Sequence, residues 1–191
     1  MTTNILLCGV GGQGTLLASN LIAESAMEAG FDVKKSEIHG MAQRGGSVVS
    51  HVRFGENVSS PIIRKGEADI VISFEELEAI RWAEYLKPDG LVITNAQKIL
   101  PMSVSAGSET YPEDIPGILS KSSIQTICVD AIGKAQELGN QKCLNVVLLG
   151  VLARKLTMID SKIWPEMIKK RVPAKLQELN LKAFNEGWNL V

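Results

Sequence analysis

Two stretches hold residue types whose spacing could do chemistry. The first is "GVGGQG", residues 9–14, which sets Gly9, Gly11 and Gly14 in the pattern G-x-G-x-x-G between an apolar run and a helical one. Glycine permits a tight turn with positive φ, lets a ligand approach the backbone, and brings helix and strand close together. The N–H groups at the start of the following helix have no partner within it, so they favour an anion. Gly9, Gly11, Gly12, Gln13 and Gly14 are therefore the candidate cofactor-binding residues. The competing reading is a strand-to-helix turn that holds nothing.

The second stretch is "HGMAQRGGS", residues 39–47. Arg44 stands beside Gly45 and Gly46, so its guanidinium can meet a phosphate or carboxylate with two parallel hydrogen bonds. An intrachain ion pair is the alternative. Gln43 and Ser47 offer neutral hydrogen bonds to the same group, or satisfy the local backbone. His39 titrates near neutrality, but without a paired carboxylate or cysteine it reads as a hydrogen-bonded loop residue. His51, on an alternating strand, reads as a strand-surface residue, and two histidines so placed make no metal site. Glu37 lies near the register of the acidic residue in a dinucleotide site, which keeps an NAD(P)-dependent dehydrogenase or a nucleotide-binding regulatory module open. Against both, the glycines after Glu37 break the second helix, and the next strand comes too soon for a crossover.

The elements that must position these residues follow an α/β pattern. "NILLCGV" (4–10) reads as a strand, 14–30 as a helix closed by Gly30, and 31–38 and 46–55 as two further strands. That opening predicts a parallel sheet with a crossover helix. A strand at 68–74, a helix at 75–86, a turn at "PDG" (88–90) with a strand to 95, and a strand at 123–131 continue it. Prolines at 101, 112 and 116 mark 96–123 as a looser connection, and from 131 onward the pattern is helical, punctuated by Pro165 and Pro173. Asn145 sits in an apolar helix and needs a partner if buried, a loop carbonyl being the simplest. The expected architecture is one α/β domain over 1–191, a three-layer Rossmann-like fold with a mostly parallel sheet and a helical C-terminal section.

Composition narrows the function classes. A net charge of −1 lacks the basic excess of a nucleic-acid binder, and "IKKRVPAK" (168–175) reads as the solvated face of a helix. Cys8, Cys128 and Cys143 show no CxxC spacing, so neither a disulfide framework nor an iron–sulfur cluster is expected in this chain. No signal peptide is evident, and the longest apolar run, 143–153, is too short to span a bilayer. A cytoplasmic location without membrane contact is the expectation.

The ordered blocks "GVGGQGTLLASNLIAESAMEAGFDVKKSEIHGMAQRGGSVVSHVRFG" (9–55), "GNQKCLNVVLLGVL" (139–152) and "VPAKLQELNLKAFNEG" (172–187) resemble the gamma-type domain of the 2-oxoacid:ferredoxin oxidoreductases. Within that family the likeness is greatest to the small (beta) subunits of the indolepyruvate enzymes, and the 39–48 loop is its most specific part. The resemblance implies a subunit of an assembly that oxidatively decarboxylates an arylpyruvate, with ferredoxin as electron acceptor and coenzyme A as co-substrate. It places thiamine diphosphate, Mg and the 4Fe-4S clusters in a larger catalytic subunit, leaving no catalytic residue and no metal in this chain. His39, Met41, Gln43, Arg44, Gly45, Gly46 and Ser47 then become the expected partner-contact or active-site-closing residues. Arg44 also joins the glycine loop as a candidate for a coenzyme A pocket.

Overall fold

The computed structural model describes residues 2–39 and 46–191, with His39 through its backbone alone. Six strands form one sheet in the order β2-β3-β1-β4-β5-β6. They are β1 (Thr2–Val10), β2 (Asp32–His39), β3 (Ser47–Gly55), β4 (Ala68–Ser73), β5 (Leu86–Asn95) and β6 (Gln125–Val129). β1, β4, β5 and β6 pair in parallel, while β3 runs antiparallel to both β1 and β2.

This corrects the expected opening. The chain leaves β1 through α1 (Thr15–Glu28) and returns as β2, but β2 does not lie beside β1. β3 folds back into the gap, pairing Leu6 with His51 on one side and Ser36 with His51 on the other. A hairpin rather than a second crossover explains why the strand after residue 46 arrives so early.

Both faces of the sheet are covered, so the buried middles of the central strands, Ile5–Cys8 and Ile70–Ile72, are apolar. Ile5 and Leu7 of β1 face one layer, built from α1, α5 (Ala131–Glu137), α6 (Leu144–Lys155), α7 (Ile163–Arg171) and α8 (Ala174–Asn189). Leu6 and Cys8 face the other, built from α2 (Glu76–Trp82), α4 (Ile115–Lys121) and Ile63 of the 56–67 segment. Gly150 of α6 and Gly187 of α8 let these two helices meet backbone to backbone. A methyl group on either would fall inside the contact distance of the other helix's main chain.

Several local expectations change. The 96–123 connection contains α3 (Met102–Ser105) and α4, the latter started by Asp114, whose carboxylate accepts the Gly117 N–H at 2.9 Å. Pro116 suits the first turn of that helix because its missing N–H would have no partner there. Pro88-Asp89-Gly90 lies within β5, as an irregularity that shifts the pairing with β4 between Ala68 and Ile70. Gly30 ends α1 as expected, at φ 89°. The basic run at 168–171 is tied down in part, with Lys170 to Glu28 and Arg171 to Glu24 each at 3.3 Å. Among the described residues no helix is long and apolar enough to cross a membrane.

His51 is the clearest departure: it is 2% exposed. Its Nδ1 accepts the Ile63 N–H at 3.2 Å, and no described group pairs with its buried Nε2. Burial lowers its pKa, with the charge of Arg53 adding to the effect. The unfolded chain therefore takes up a proton at a higher pH than the folded one. The stability that His51 contributes is full above its ordinary value of 6.5 and is lost as pH falls through the lower folded value. Urea midpoints measured from pH 7 to pH 5 should fall for the wild type and fall less for His51→Asn. Equal pH slopes in the two proteins would show that His51 is not the responsive group.

Candidate functional site

Ligands of doubly wound sheets lie where neighbouring strands send their helices to opposite faces. Here that place is the crest between β1, which leads into α1 on one face, and β4, which leads into α2 on the other. The glycine loop forms one wall. Gly9 is required by close approach, since a Cβ there would lie 2.8 Å from the Cβ of Phe74. Gly14 begins α1 at φ 83°, and a Cβ on it would lie 2.5 Å from Nδ2 of Asn145.

Side-chain amides fill the crevice itself. Gln13 accepts the Val10 N–H at 2.7 Å and donates from Nε2 to Phe74 O at 2.9 Å and Gln97 Oε1 at 3.0 Å. Asn95, wholly buried, donates to Phe74 O and Gln97 Oε1, while its Oδ1 accepts the Ala131 and Ile132 N–H groups that open α5. Asn145 donates to Gly14 O at 3.2 Å, the loop carbonyl expected of it. The loops after β1, β4 and β5 and the starts of α5 and α6 are thus joined by neutral hydrogen bonds.

The two sequence motifs meet here. Gly11 donates its N–H to Gly46 O at 3.0 Å, and the Ser47 hydroxyl donates to the Glu78 carboxylate. Of the residues expected to make partner contact, Gly46 and Ser47 are therefore brought against the glycine loop. Met41, Gln43, Arg44 and Gly45, and the His39 side chain, lie outside the described residues.

Beyond the filled crevice, a cleft of about 360 Å³ opens over the start of α1. Gly12, Gly14, Leu17, Gln97, Lys142 and Asn145 are among its lining residues. Among the described residues no side chain caps α1, so its first N–H groups and the Lys142 ammonium favour negative charge. The walls, again among the described residues, carry no nucleophile poised by a base. Burial raises the thiol pKa of both Cys8 and Cys143, away from the reactive thiolate.

Glu37 does not serve as a ribose-binding acid. Its strand is separated from β1 by β3, which puts it about 10 Å away at the usual strand spacing. Its carboxylate is already paired with Lys35 at 2.6 Å.

Sequence reasoning missed Asn95, Gln97, Lys142 and a group of buried glutamates at the start of α2. Asn95 carried a usable signal, because it ends a strand at the crest where such folds bind ligands. The glutamates carried none, since acidic residues in a helix's first turn are commonplace. Glu75 accepts the Glu78 N–H, the Ile99 N–H and the Tyr111 hydroxyl. Burial raises the pKa of Tyr111, and the bond to Glu75 raises it further.

Residues 4–190 match the family described as pyruvate ferredoxin/flavodoxin oxidoreductase. The chain is 43% identical over 188 residues to the indolepyruvate oxidoreductase subunit IorB of Pyrococcus horikoshii, spanning 96% of this chain and 93% of that relative. It is 44% identical to the IorB subunit of Archaeoglobus fulgidus, spanning 99% and 95%. Its fold is that of the keto/oxoacid ferredoxin oxidoreductase gamma subunit of Geobacter sulfurreducens, with a TM-score of 0.74 at 23% identity over 98% of this chain and 97% of that one. The same fold recurs within a longer chain, the 2-oxoglutarate:ferredoxin oxidoreductase of Magnetococcus marinus, solved with 2-oxoglutarate, coenzyme A and succinyl-CoA bound. That match has a TM-score of 0.77 at 19% identity and covers 99% of this chain but 31% of the other. The three-layer fold and the ordered motifs thus agree with the match along the whole sequence: the chain belongs to the pyruvate ferredoxin/flavodoxin oxidoreductase family.

Proposed function

We propose that this chain is the small subunit of a 2-oxoacid:ferredoxin oxidoreductase whose substrate is an arylpyruvate such as indolepyruvate. The observation that carries the reading is the likeness to IorB subunits, above 40% identity with nearly every residue of both chains aligned. In this reading the chain acts as one domain, 1–191, in the cytoplasm. The large subunit supplies thiamine diphosphate with its Mg ion, and the 4Fe-4S clusters that pass electrons to ferredoxin.

The chain's own contribution is contact and closure. His39, Met41, Gln43, Arg44, Gly45, Gly46 and Ser47 form the element that meets the large subunit. The glycine loop, Gly9 to Gly14, supports that element through the bond from Gly11 to Gly46. The start of α1 offers backbone N–H groups to a coenzyme A phosphate, with Arg44 completing the pocket. An autonomous NAD(P)-dependent dehydrogenase is disfavoured by the amide-filled crevice and by the displaced, paired Glu37.

The test is to purify the chain with its large subunit and titrate coenzyme A and NAD(H), in the wild type and in Arg44→Ala. The expected result is coenzyme A binding weakened about tenfold or more by Arg44→Ala, the loss of one charge-assisted bond, with no NAD(H) binding. Unchanged coenzyme A affinity removes Arg44 from the pocket. Tight NAD(H) binding with hydride transfer to a 2-oxoacid favours the dehydrogenase.

A further inference from the structure

α2 opens with three glutamates that are almost wholly buried, Glu75, Glu76 and Glu78. Burying a carboxylate is costly unless donors meet its oxygens. Glu75 does what an N-cap should, accepting the Glu78 N–H at 3.0 Å. Glu78 occupies the third helical position, where a capping-box side chain would turn back to the N-cap N–H. It reaches Ser47 of β3 and the next turn of its own helix instead.

There its Oε2 accepts the Ser47 hydroxyl and, at 3.3 Å, the Trp82 indole N–H, while its Oε1 takes Arg81 at 2.7 Å. The Glu78 side chain is 2% exposed and that of Arg81 is 45% exposed, so the arginine closes the carboxylate off from solvent. Ser47 is the first residue of β3, and its neighbour Gly46 accepts the Gly11 N–H. Gly46 and Ser47 are thus gripped from two sides, by the glycine loop and by α2.

We infer that Glu78 is a positioning residue, which through the Ser47 hydroxyl fixes the Gly46–Ser47 foot so that the large subunit can dock beside it. The inference rests on the subunit reading above. Glu78 itself touches no substrate, because its carboxylate is enclosed by Ser47, Arg81 and Trp82. It acts by holding the foot in register with the glycine loop.

The test compares Ser47→Ala, which removes the hydroxyl, with Ser47→Thr, which keeps it. Two measurements are made: amide hydrogen exchange on the full chain alone, and affinity for the purified large subunit. Ser47→Ala should speed exchange of the Gly11 amide and weaken binding to the large subunit, each about tenfold, as expected for losing a hydrogen bond to a charged group. Ser47→Thr should restore both, and the thermal midpoint of the chain should stay within a few degrees of wild type in each case. Glu78→Gln keeps one acceptor oxygen for the Ser47 hydroxyl but loses the charge, so it should fall between wild type and Ser47→Ala in both measurements. Wild-type exchange and affinity in Ser47→Ala would overturn the positioning role, as would equal losses in the alanine and threonine variants. If the wild-type chain does not bind the large subunit, the subunit reading fails and the docking role fails with it. Exchange at Gly11 would then still decide whether Ser47 holds the foot.

Discussion

The isolated chain is expected to oxidise no 2-oxoacid, whereas the chain combined with its large subunit should reduce ferredoxin when given indolepyruvate and coenzyme A. The difference should be all or none. Oxidative decarboxylation needs a carbanion-stabilising cofactor and an electron path, which side chains alone do not provide. Three dispersed cysteines cannot hold a four-thiolate cluster. Among the described residues no group of three or more histidines, cysteines and carboxylates stands ready for a metal. The measurement is ferredoxin reduction by each subunit alone and by the mixture. Turnover by the small chain alone would sink the subunit reading.

The second large effect concerns stability. Gly187→Ala should destabilise the fold by about 3 kcal/mol, at the upper end of the cost of overpacking, and lower the thermal midpoint by roughly 10 °C. A methyl group at Gly187 would run into the carbonyl of Val147, and one at Gly150 into the carbonyl of Phe184. Both obstacles are main chain inside a helix, so no rotamer change relieves them. The substitution also gains about 1 kcal/mol of helix preference, and the clash must outweigh that. Lys182→Ala on the exposed side of α8 should change stability by less than about 0.5 kcal/mol. A Gly187→Ala protein as stable as wild type would mean that α6 and α8 can separate at little cost.

Much of the fold is legible in the sequence because its strands are short apolar runs bounded by turn residues. "NILLCGV" is buried on both faces and looks it. The position of β3 is not legible, since strand order is decided by tertiary pairing and not by local pattern. Only the short spacing between Glu37 and Ser47 hints that no crossover fits there. His51 misleads for a related reason. Alternation on a strand means inside and outside only where one face is wet, and both faces of β3 are largely covered. In the site, glycines announce themselves through backbone geometry, whereas Gln13, Asn95 and Glu78 matter through partners 21 to 84 residues away. A polar residue at the end of an element reads the same whether water or protein meets it.

The insertion of β3 beside β1 also bears on how the chain folds. β2 and β3 are close in sequence, so their hairpin can form early and locally, within microseconds to tens of microseconds. β1 cannot. It precedes both of its partners, pairing Leu7 with Ser50 on one side and Ile72 on the other. During synthesis, an apolar segment free of charged residues must wait without its full set of partners until residue 73 has emerged, which at ribosomal speed takes several seconds. The central strand, the most deeply buried part of the finished sheet, is therefore the part most exposed to misassociation while the chain is being made. A chaperone that shields residues 4–10 would guard the step on which closing the sheet depends.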